Sequence, residues 1–355
     1  MKVTVKDKFL NVRVGKPSVN APCFQFIAPG SEIEVDGKLY KGDLFRGIDI
    51  WLRDEADNYY WSGGVSRQLN DEVDTASLLD YGDKCILPAN VKATKGRNIK
   101  VGILDTGCFR HNAFNQIIIA GKNFVDNNED FKDISNGSHG TFVSGIIAAG
   151  NISGAVMTGV APEVNLVIAK ITAESDIIDV NPILEGLEWL IEQKPDIINC
   201  SFDFSAAGNL NGFQQIFSSQ QAKSILWVAA GQDNEGLFNN TIYFPATEEN
   251  FVAIGSLRKE VLSGRNISDI NPKIRYVLNE VSFTSTNRFN AYKQNVGSSF
   301  ASAYLTAHLA LIKSHLLVES PGNAGPGNCI SFLDQQIPRM NVLEFSEKPF
   351  SIFLK

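Results

Sequence analysis

Residues 1–68 alternate apolar and polar positions with a period of two. The stretches 31–35 (SEIEV) and 48–52 (IDIWL) show the alternation most clearly, and Asp36-Gly37 between them is a hairpin turn signal. Short strands at this spacing are typical of a small barrel or sandwich. We therefore expect residues 1–68 to form a small, barrel-like all-β accessory domain, followed by a polar, irregular linker over 69–95.

A second pattern begins near residue 96, where short apolar runs alternate with segments of helical periodicity. The runs are candidate buried strands and cover 99–104, 165–171, 196–200, 225–230 and 251–254. Candidate helices lie between them, at 140–149, 182–193 and 213–223. Strands alternating with helices predict an α/β fold, a parallel sheet with helices on both faces. We place this domain at 96–320 and expect residues 321–355 to pack on it as a C-terminal tail.

Composition narrows the classes of function. The formal net charge of −7 argues against a nucleic-acid or anionic-membrane partner. No apolar run approaches the roughly 20 residues that span a bilayer, and the first residues lack the apolar core of a secretory signal. The five cysteines are scattered and have no metal-ligand spacing, which suits a reducing compartment. We therefore expect a cytoplasmic protein with no nucleic-acid or membrane partner.

Three segments far apart in the chain carry residues for nucleophilic catalysis. Asp105 directly follows a predicted strand in VGILDTGC, whereas His139 in NGSHGTF and Ser299 in GSSFAS each begin a predicted helix. A serine hydroxyl needs a base, histidine can take its proton, and a buried carboxylate can orient the imidazole. Backbone N–H groups at the start of a helix favour a developing oxyanion. The three residues together predict a charge-relay triad.

Each motif alone also fits another class of enzyme. ILDTG is the signature of aspartic peptidases, but these need a second copy or a dimer in an all-β fold, which the alternating pattern does not provide. Gly297-x-Ser299-x-Ala301 is similar to the nucleophile elbow of α/β-hydrolases, in which serine precedes aspartate and histidine. The order Asp, His, Ser found here is that of subtilisin.

Residues 95–315 therefore resemble the subtilisin-like serine peptidases, the subtilases. The resemblance implies a serine endopeptidase that forms an acyl-enzyme on Ser299, with Asp105 and His139 completing the triad. It implies no required cofactor and a peptide or protein substrate bound in extended form, by backbone pairing with a strand edge. The alternative is a catalytically impaired subtilase that acts as a peptide-binding or scaffolding module.

Further segments similar to those of subtilases imply where the substrate binds. One segment would pair with the extended substrate, and two strand ends would form opposite walls of the specificity pocket. The residues concerned are Asp176, Ile177 and Ile178 for the extended substrate, and Ser201, Phe202, Asp203, Ala229, Ala230 and Gly231 for the pocket.

The chain departs from the family pattern at the oxyanion hole. The segment AAGQDNEG places Gln232 where subtilases have an asparagine, and Asn234 is the alternative. A glutamine amide can donate the same hydrogen bond but is one methylene longer. Loss of such a donor costs about 2.7–4 kcal/mol of transition-state stabilisation, a magnitude measured on subtilisin itself.

Two acidic features also distinguish the chain. Asp203 replaces a pocket glycine and could attract a basic side chain at the cleavage site. The acidic run Asp126–Asp133 resembles the loop before the catalytic histidine of subtilases and could hold calcium. We expect a solvated turn there and no metal site.

The N-terminal domain has a resemblance of its own. Its stretch 50–65 (IWLRDEADNYYWSGGV) is similar to the end of bacterial Src-homology-3-like modules found beside peptidase domains. We expect a retained accessory barrel that binds a protein or the peptidase domain itself. The alternative is an inhibitory pro-domain that the enzyme removes.

Overall fold

The computed structural model describes residues 2–6, 8–67, 78–114, 116–135, 137–152, 155–174, 179–204, 211–239, 242–262, 264–279, 281–340, 345 and 350–355. The chain divides into two compact units, Met1–Ser77 and Leu78–Lys355. Each unit has buried apolar residues of its own, so each is described separately.

Antiparallel strands build the first unit, which confirms the β-rich N-terminal region. They are β1 (Lys2–Val5), β2 (Leu10–Val14), β3 (Gln25–Ile27), β4 (Glu32–Glu34), β5 (Tyr40–Phe45), β6 (Ile48–Arg53), β7 (Asn58–Trp61) and β8 (Val65–Arg67). They form two sheets, in the orders β4-β1-β8 and β3-β2-β7-β6-β5. Alternate side chains such as Val3, Val5 and Ile33 form the core, while basic and aromatic residues including Lys8, Arg46 and Trp61 line a cleft of about 510 Å³. The resemblance to Src-homology-3-like modules stays a prediction.

The second unit is built on a central sheet with the order β11-β13-β10-β14-β15-β16-β17-β20. Its strands are parallel except β20, which pairs antiparallel with β17. The strands of this unit are β9 (Leu79–Asp80), β10 (Lys100–Asp105), β11 (Ile118–Asn123), β12 (Met157–Thr158), β13 (Asn165–Lys170), β14 (Ile197–Cys200), β15 (Leu226–Asp233), β16 (Phe251–Leu257), β17 (Ile274–Asn279), β18 (Phe283–Thr286), β19 (Tyr292–Asn295) and β20 (Ile352–Leu354).

Helices cover this sheet on both faces, as the alternating pattern predicts. They are α1 (Tyr81–Lys84), α2 (Ala89–Lys92), α3 (His139–Ala148), α4 (Val180–Glu192), α5 (Asn211–Ser218), α6 (Gln220–Lys223), α7 (Lys259–Leu262), α8 (Ser298–Glu319) and α9 (Pro326–Gln336). Successive residues of a strand face opposite sides, so Ile103 and Ile168 pack in the core with α3 and α8, whereas Leu104 and Val167 pack in the core with α4. The α/β fold with a parallel-rich sheet is thereby confirmed.

Helix α8 is the longest described helix, with 22 residues. Most of its side chains between Ser298 and Ser314 are buried, because α3, α9 and strands β14, β15 and β16 pack around it. In the described part of the chain, neither α8 nor any other helix has the length and apolarity needed to cross a bilayer. Because β10, β14 and β15 are parallel, their carboxyl ends meet at one edge of the sheet, next to the starts of α3 and α8.

Residues 78–95 are part of the second unit and correct the expected linker. The side chain of Tyr81 is fully buried in the core. Its hydroxyl donates to the carbonyl oxygen of Thr284 at 2.9 Å and accepts from the N–H of the same residue at 2.7 Å. The folded unit therefore begins at Leu78 rather than at residue 96, and the polar composition of this segment reflects its exposed positions alone.

We expect Tyr81→Ala to lower the free energy of unfolding of the second unit by about 3–5 kcal/mol, because it leaves a cavity in the core and two unpaired backbone groups. The exposed neighbour Lys84 provides the control, and Lys84→Ala should change stability by less than about 0.5 kcal/mol. Urea unfolding followed by tryptophan fluorescence measures both values. Equal stability of the two variants would show that residues 78–95 are a linker after all.

Candidate active site

Asp105 and His139 meet where β10 ends and α3 begins. The Nδ1 atom of His139 lies 2.8 Å from Oδ1 and 3.0 Å from Oδ2 of Asp105, whose side chain is buried. The backbone N–H of Thr106 donates to the same carboxylate at 2.7 Å. Gly140 allows this approach, since a Cβ atom there would lie 2.2 Å from the carbonyl oxygen of Gly107 and 3.0 Å from Oδ1 of Asp105. With Nδ1 held by the carboxylate, Nε2 is left for another partner.

The carboxylate also sets the protonation of the histidine. Burial alone would lower the pKa of His139, but the charge of Asp105 and its hydrogen bond outweigh burial, and the pKa is raised above the ordinary value. The imidazolium is therefore stabilised in place, which is what a base needs after it has taken a proton.

Ser299 lies in the first turn of α8, which follows Gly297 at φ 133°. Its Oγ donates to the carbonyl oxygen of Ser201 at 2.9 Å, and Oγ of Ser201 donates to the carbonyl oxygen of Ser299 at 2.8 Å. These reciprocal bonds attach the start of α8 to the end of β14. Ser299 and His139 line the same cleft of about 260 Å³, and the His139 ring packs against Phe300 with centroids 5.5 Å apart.

The predicted substrate residues divide into three groups. Ser201, Phe202, Asp203 and Ala230 line the cleft together with the Asp105–His139 pair and Ser299. Ala229 is fully buried in the core, and Gly231 packs against the backbone of β16. The remaining three residues, Asp176, Ile177 and Ile178, lie outside the described residues, so their role stays a prediction.

The cleft is acidic. Besides Asp105 it contains the carboxyl groups of Asp203 and Asp233, and its described lining includes no lysine or arginine. Burial raises the pKa of Asp203, although Gln232 Nε2 donates a hydrogen bond to its Oδ2 at 2.9 Å and acts in the opposite direction. Such a lining favours a cationic group over an anionic one.

The three polar residues at the end of β15 point to different partners. Gln232 binds Asp203, whereas Oδ1 of Asn234 accepts from the backbone N–H of Arg258 at 2.8 Å. Asp233 lies nearest to the start of α8, where its Oδ1 accepts from the backbone N–H of Ser298 at 2.6 Å. The oxyanion assignment to Gln232 or Asn234 stays a prediction, and neither of these contacts lies on α8.

Sequence reasoning missed Asp233 because a strand pattern does not reveal a shift of register. The pairing of β15 with β16 shifts between Ala230 and Asp233, and this shift decides which side chain faces the cleft. The signal in the sequence is the two extra residues of GQDNEG between glycine and the Asn-Glu-Gly of the family pattern, which marks the place but not the orientation.

The acidic loop before α3 contains a lysine ammonium where calcium was the alternative. Both oxygens of the buried Asp133 are hydrogen-bonded, Oδ1 to the N–H and hydroxyl of Ser135 and Oδ2 to those of Thr141. The ammonium of Lys170 is buried nearby and donates to the carbonyl oxygens of Thr106 and Lys132, both at 3.0 Å. Burial lowers the pKa of Lys170, and the surrounding acidic residues oppose this. The residues of this loop do not fit a calcium ion, and the described residues include no cluster of three metal-binding side chains.

Comparisons with known proteins agree with the fold and with this arrangement. The model of the subtilase family matches residues 96–321. The chain is 33% identical over 258 residues to the major intracellular serine protease of Bacillus subtilis (strain 168), covering 69% of this chain and 78% of that protein. It is 30% identical over 241 residues to subtilisin DY of Bacillus licheniformis, covering 67% and 86%, and 32% identical over 233 residues to an intracellular serine protease of Paenibacillus polymyxa, covering 64% and 70%. The chain therefore belongs to the subtilase family of subtilisin-like serine endopeptidases.

We expect Asp105→Asn to lower the pKa of His139 below the ordinary value of 6.5, because burial then acts without the opposing negative charge. NMR titration of the imidazole nitrogens measures this pKa in both proteins. His111, whose pKa burial lowers to about 4, should not change and serves as the internal control. A His139 pKa that is the same in both proteins would contradict the electrostatic coupling.

Proposed function

We propose that the protein cleaves peptide bonds through an acyl-enzyme on Ser299, with His139 as the base and Asp105 as the group that orients it. The observation that supports this most is that the Asp105–His139 pair and Ser299 line one cleft. They lie on the elements that the subtilase motifs predict, at the carboxyl edge of a parallel sheet. The family match and the serine protease relatives support the same reaction.

The reaction begins with a rotation of the Ser299 side chain. Its hydroxyl leaves the carbonyl oxygen of Ser201 and turns to Nε2 of His139, which takes the proton as Oγ attacks the substrate carbonyl carbon. The carbonyl oxygen becomes the oxyanion and faces the peptide N–H at the start of α8. His139 then gives the proton to the leaving amine, and a water molecule hydrolyses the ester by the same route in reverse.

The acidic cleft supports a substrate with a basic side chain at the cleavage site. Asp203 lines the cleft opposite the core side of β15, where a substrate side chain would enter, and its Oδ2 is already oriented by Gln232. An arginine or lysine side chain would compensate its charge. We infer that the protein cleaves extended peptides after basic residues.

Two of the relatives are named intracellular proteases. All five cysteines are free thiols, four of them buried. We infer that this protein acts on intracellular peptides or proteins, in a reducing compartment.

Ser299→Ala should abolish covalent labelling by a fluorophosphonate probe and cleavage of a fluorogenic peptide, because it removes the only group that the proposed reaction acylates. Ser224→Ala, which removes an exposed serine hydroxyl from the same unit, should label and cleave as the wild type does. Intact-protein mass spectrometry measures the labelling, and circular dichroism verifies folding. A folded wild-type protein that is not labelled at any pH would favour the impaired, peptide-binding alternative.

Asp203→Asn should lower kcat/KM for substrates with arginine or lysine at the cleavage site by about tenfold, which corresponds to about 1.4 kcal/mol. The asparagine keeps an acceptor for Gln232 and removes only the charge. A substrate with leucine at the same position should change by less than about twofold, and a peptide library compares all side chains at once. If the wild type prefers apolar side chains, or if both substrates lose activity equally, Asp203 does not determine specificity.

A further inference from the structure

Asp233 is the last residue of β15, and its carboxyl group lies against the first turn of α8. Oδ1 accepts from the backbone N–H of Ser298 at 2.6 Å. Oδ2 lies 3.5 Å from the place that a Cβ atom would occupy at Gly297. The carboxyl group also lines the cleft that Ser299 and His139 share. It therefore lies next to the nucleophile, on the side of the strand that forms the wall of the cleft.

This location is where the negative charge of the proposed reaction develops. When Ser299 Oγ attacks, the substrate oxygen turns towards the N–H groups at the start of α8, and the side chain next to those groups on β15 is Asp233. We propose that Asp233 is the side-chain partner of the oxyanion and that it acts in its protonated form. The proposal rests on the proposed peptidase function and deepens it.

The chemistry of a carboxyl group makes protonation a requirement. An ionised carboxylate only accepts hydrogen bonds and repels an oxyanion, whereas a carboxylic acid has one O–H donor. With Oδ1 occupied by the N–H of Ser298, a proton on Oδ2 would donate to the oxyanion. A neutral carboxylic acid that donates to an oxyanion is an established catalytic device. The step moves no additional proton, since the Ser299 proton still goes to His139.

Charged groups on several elements bias this protonation. The carboxylates of Asp203 and Asp105 across the cleft favour the neutral acid, while protonated His139 and the positive end of the α8 dipole favour the carboxylate. The strand β16 opposes Asp233 with the uncharged Ser256. The charged groups on the adjoining elements are Arg258, and Glu235 in an ion pair with Arg265.

The requirement inverts the usual pH dependence of a serine peptidase. The active form needs neutral His139 and protonated Asp233, which is the minority arrangement of a proton shared between the two groups. With ordinary pKa values of 3.9 and 6.5, only about 1 molecule in 400 has this arrangement between those values, and the fraction falls further as the pH rises. The wild type should therefore be slow, and kcat/KM should decrease above the pKa of His139.

The test is the pH dependence of kcat/KM for wild type and Asp233→Asn between pH 5 and pH 9, with Ser299→Ala as the blank. An asparagine amide donates at every pH, so the variant should gain activity as His139 loses its proton and then level off. At pH 8 we expect it to exceed the wild type by about 100-fold or more, the size of the effect of one oxyanion donor in subtilisin. Glu235→Gln removes a carboxylate two positions along the chain whose side chain is 66% exposed, and it should retain the wild-type profile.

The possible results separate the two proposals. If wild type cleaves in a Ser299-dependent manner and Asp233→Asn has the same or lower kcat/KM with the same profile, the role of Asp233 is refuted and the peptidase function stands. If neither protein shows Ser299-dependent cleavage at any pH, the peptidase function itself fails.

A second measurement needs no variant. A peptide aldehyde forms a hemiacetal with Ser299 Oγ, whose proton moves to His139, so the reaction itself takes no proton from solvent. If Asp233 must be protonated beside the new oxyanion, binding at pH 7 should take up close to one proton, which calorimetry in buffers of different ionisation enthalpy measures. Binding without proton uptake would overturn the proposal even if Asp233→Asn does not fold.

Discussion

The site depends on one constraint, the burial of the Asp105 carboxylate within hydrogen-bonding distance of His139. A buried carboxylate is unfavourable unless it is paired, and here the pairing comes from the imidazole and from the N–H of Thr106. This requires the end of β10 and the start of α3 to approach so closely that position 140 has no room for a side chain. Because β10 lies between β13 and β14, both elements that flank it hold the carboxylate in place.

Helix α8 connects this pair with the nucleophile and with the cleft wall. Its first turn is attached to β14 by the reciprocal bonds of Ser201 and Ser299, and to β15 by the bond from Ser298 to Asp233. The remainder of the helix is buried against the sheet, so the first turn has little freedom to move. Functional side chains are thus positioned by regular elements that the core holds, which gives more precise geometry than loops alone.

The sequence predicted those parts that depend on local pattern. Apolar runs of four to eight residues bounded by polar segments indicate buried parallel strands, so the strands and the positions of Asp105, His139 and Ser299 at element ends were accessible. The burial of Tyr81 was not, because its partner Thr284 lies 203 residues away and the intervening composition gives no indication of it. The orientation of Asp233 was not either, since it follows from a register shift between two strands. Long-range pairing and backbone irregularity are what a single sequence conceals.

Lys170 has a consequence for the environment in which the enzyme can work. An ammonium group that belongs to the chain is present at a fixed ratio of one per molecule and cannot be extracted by a chelator. The loop it stabilises, which leads directly to His139, therefore keeps its charge balance whatever the concentration of free divalent ions. Folding of this part of the active site is coupled to the covalent sequence itself, and not to the ionic composition of the compartment.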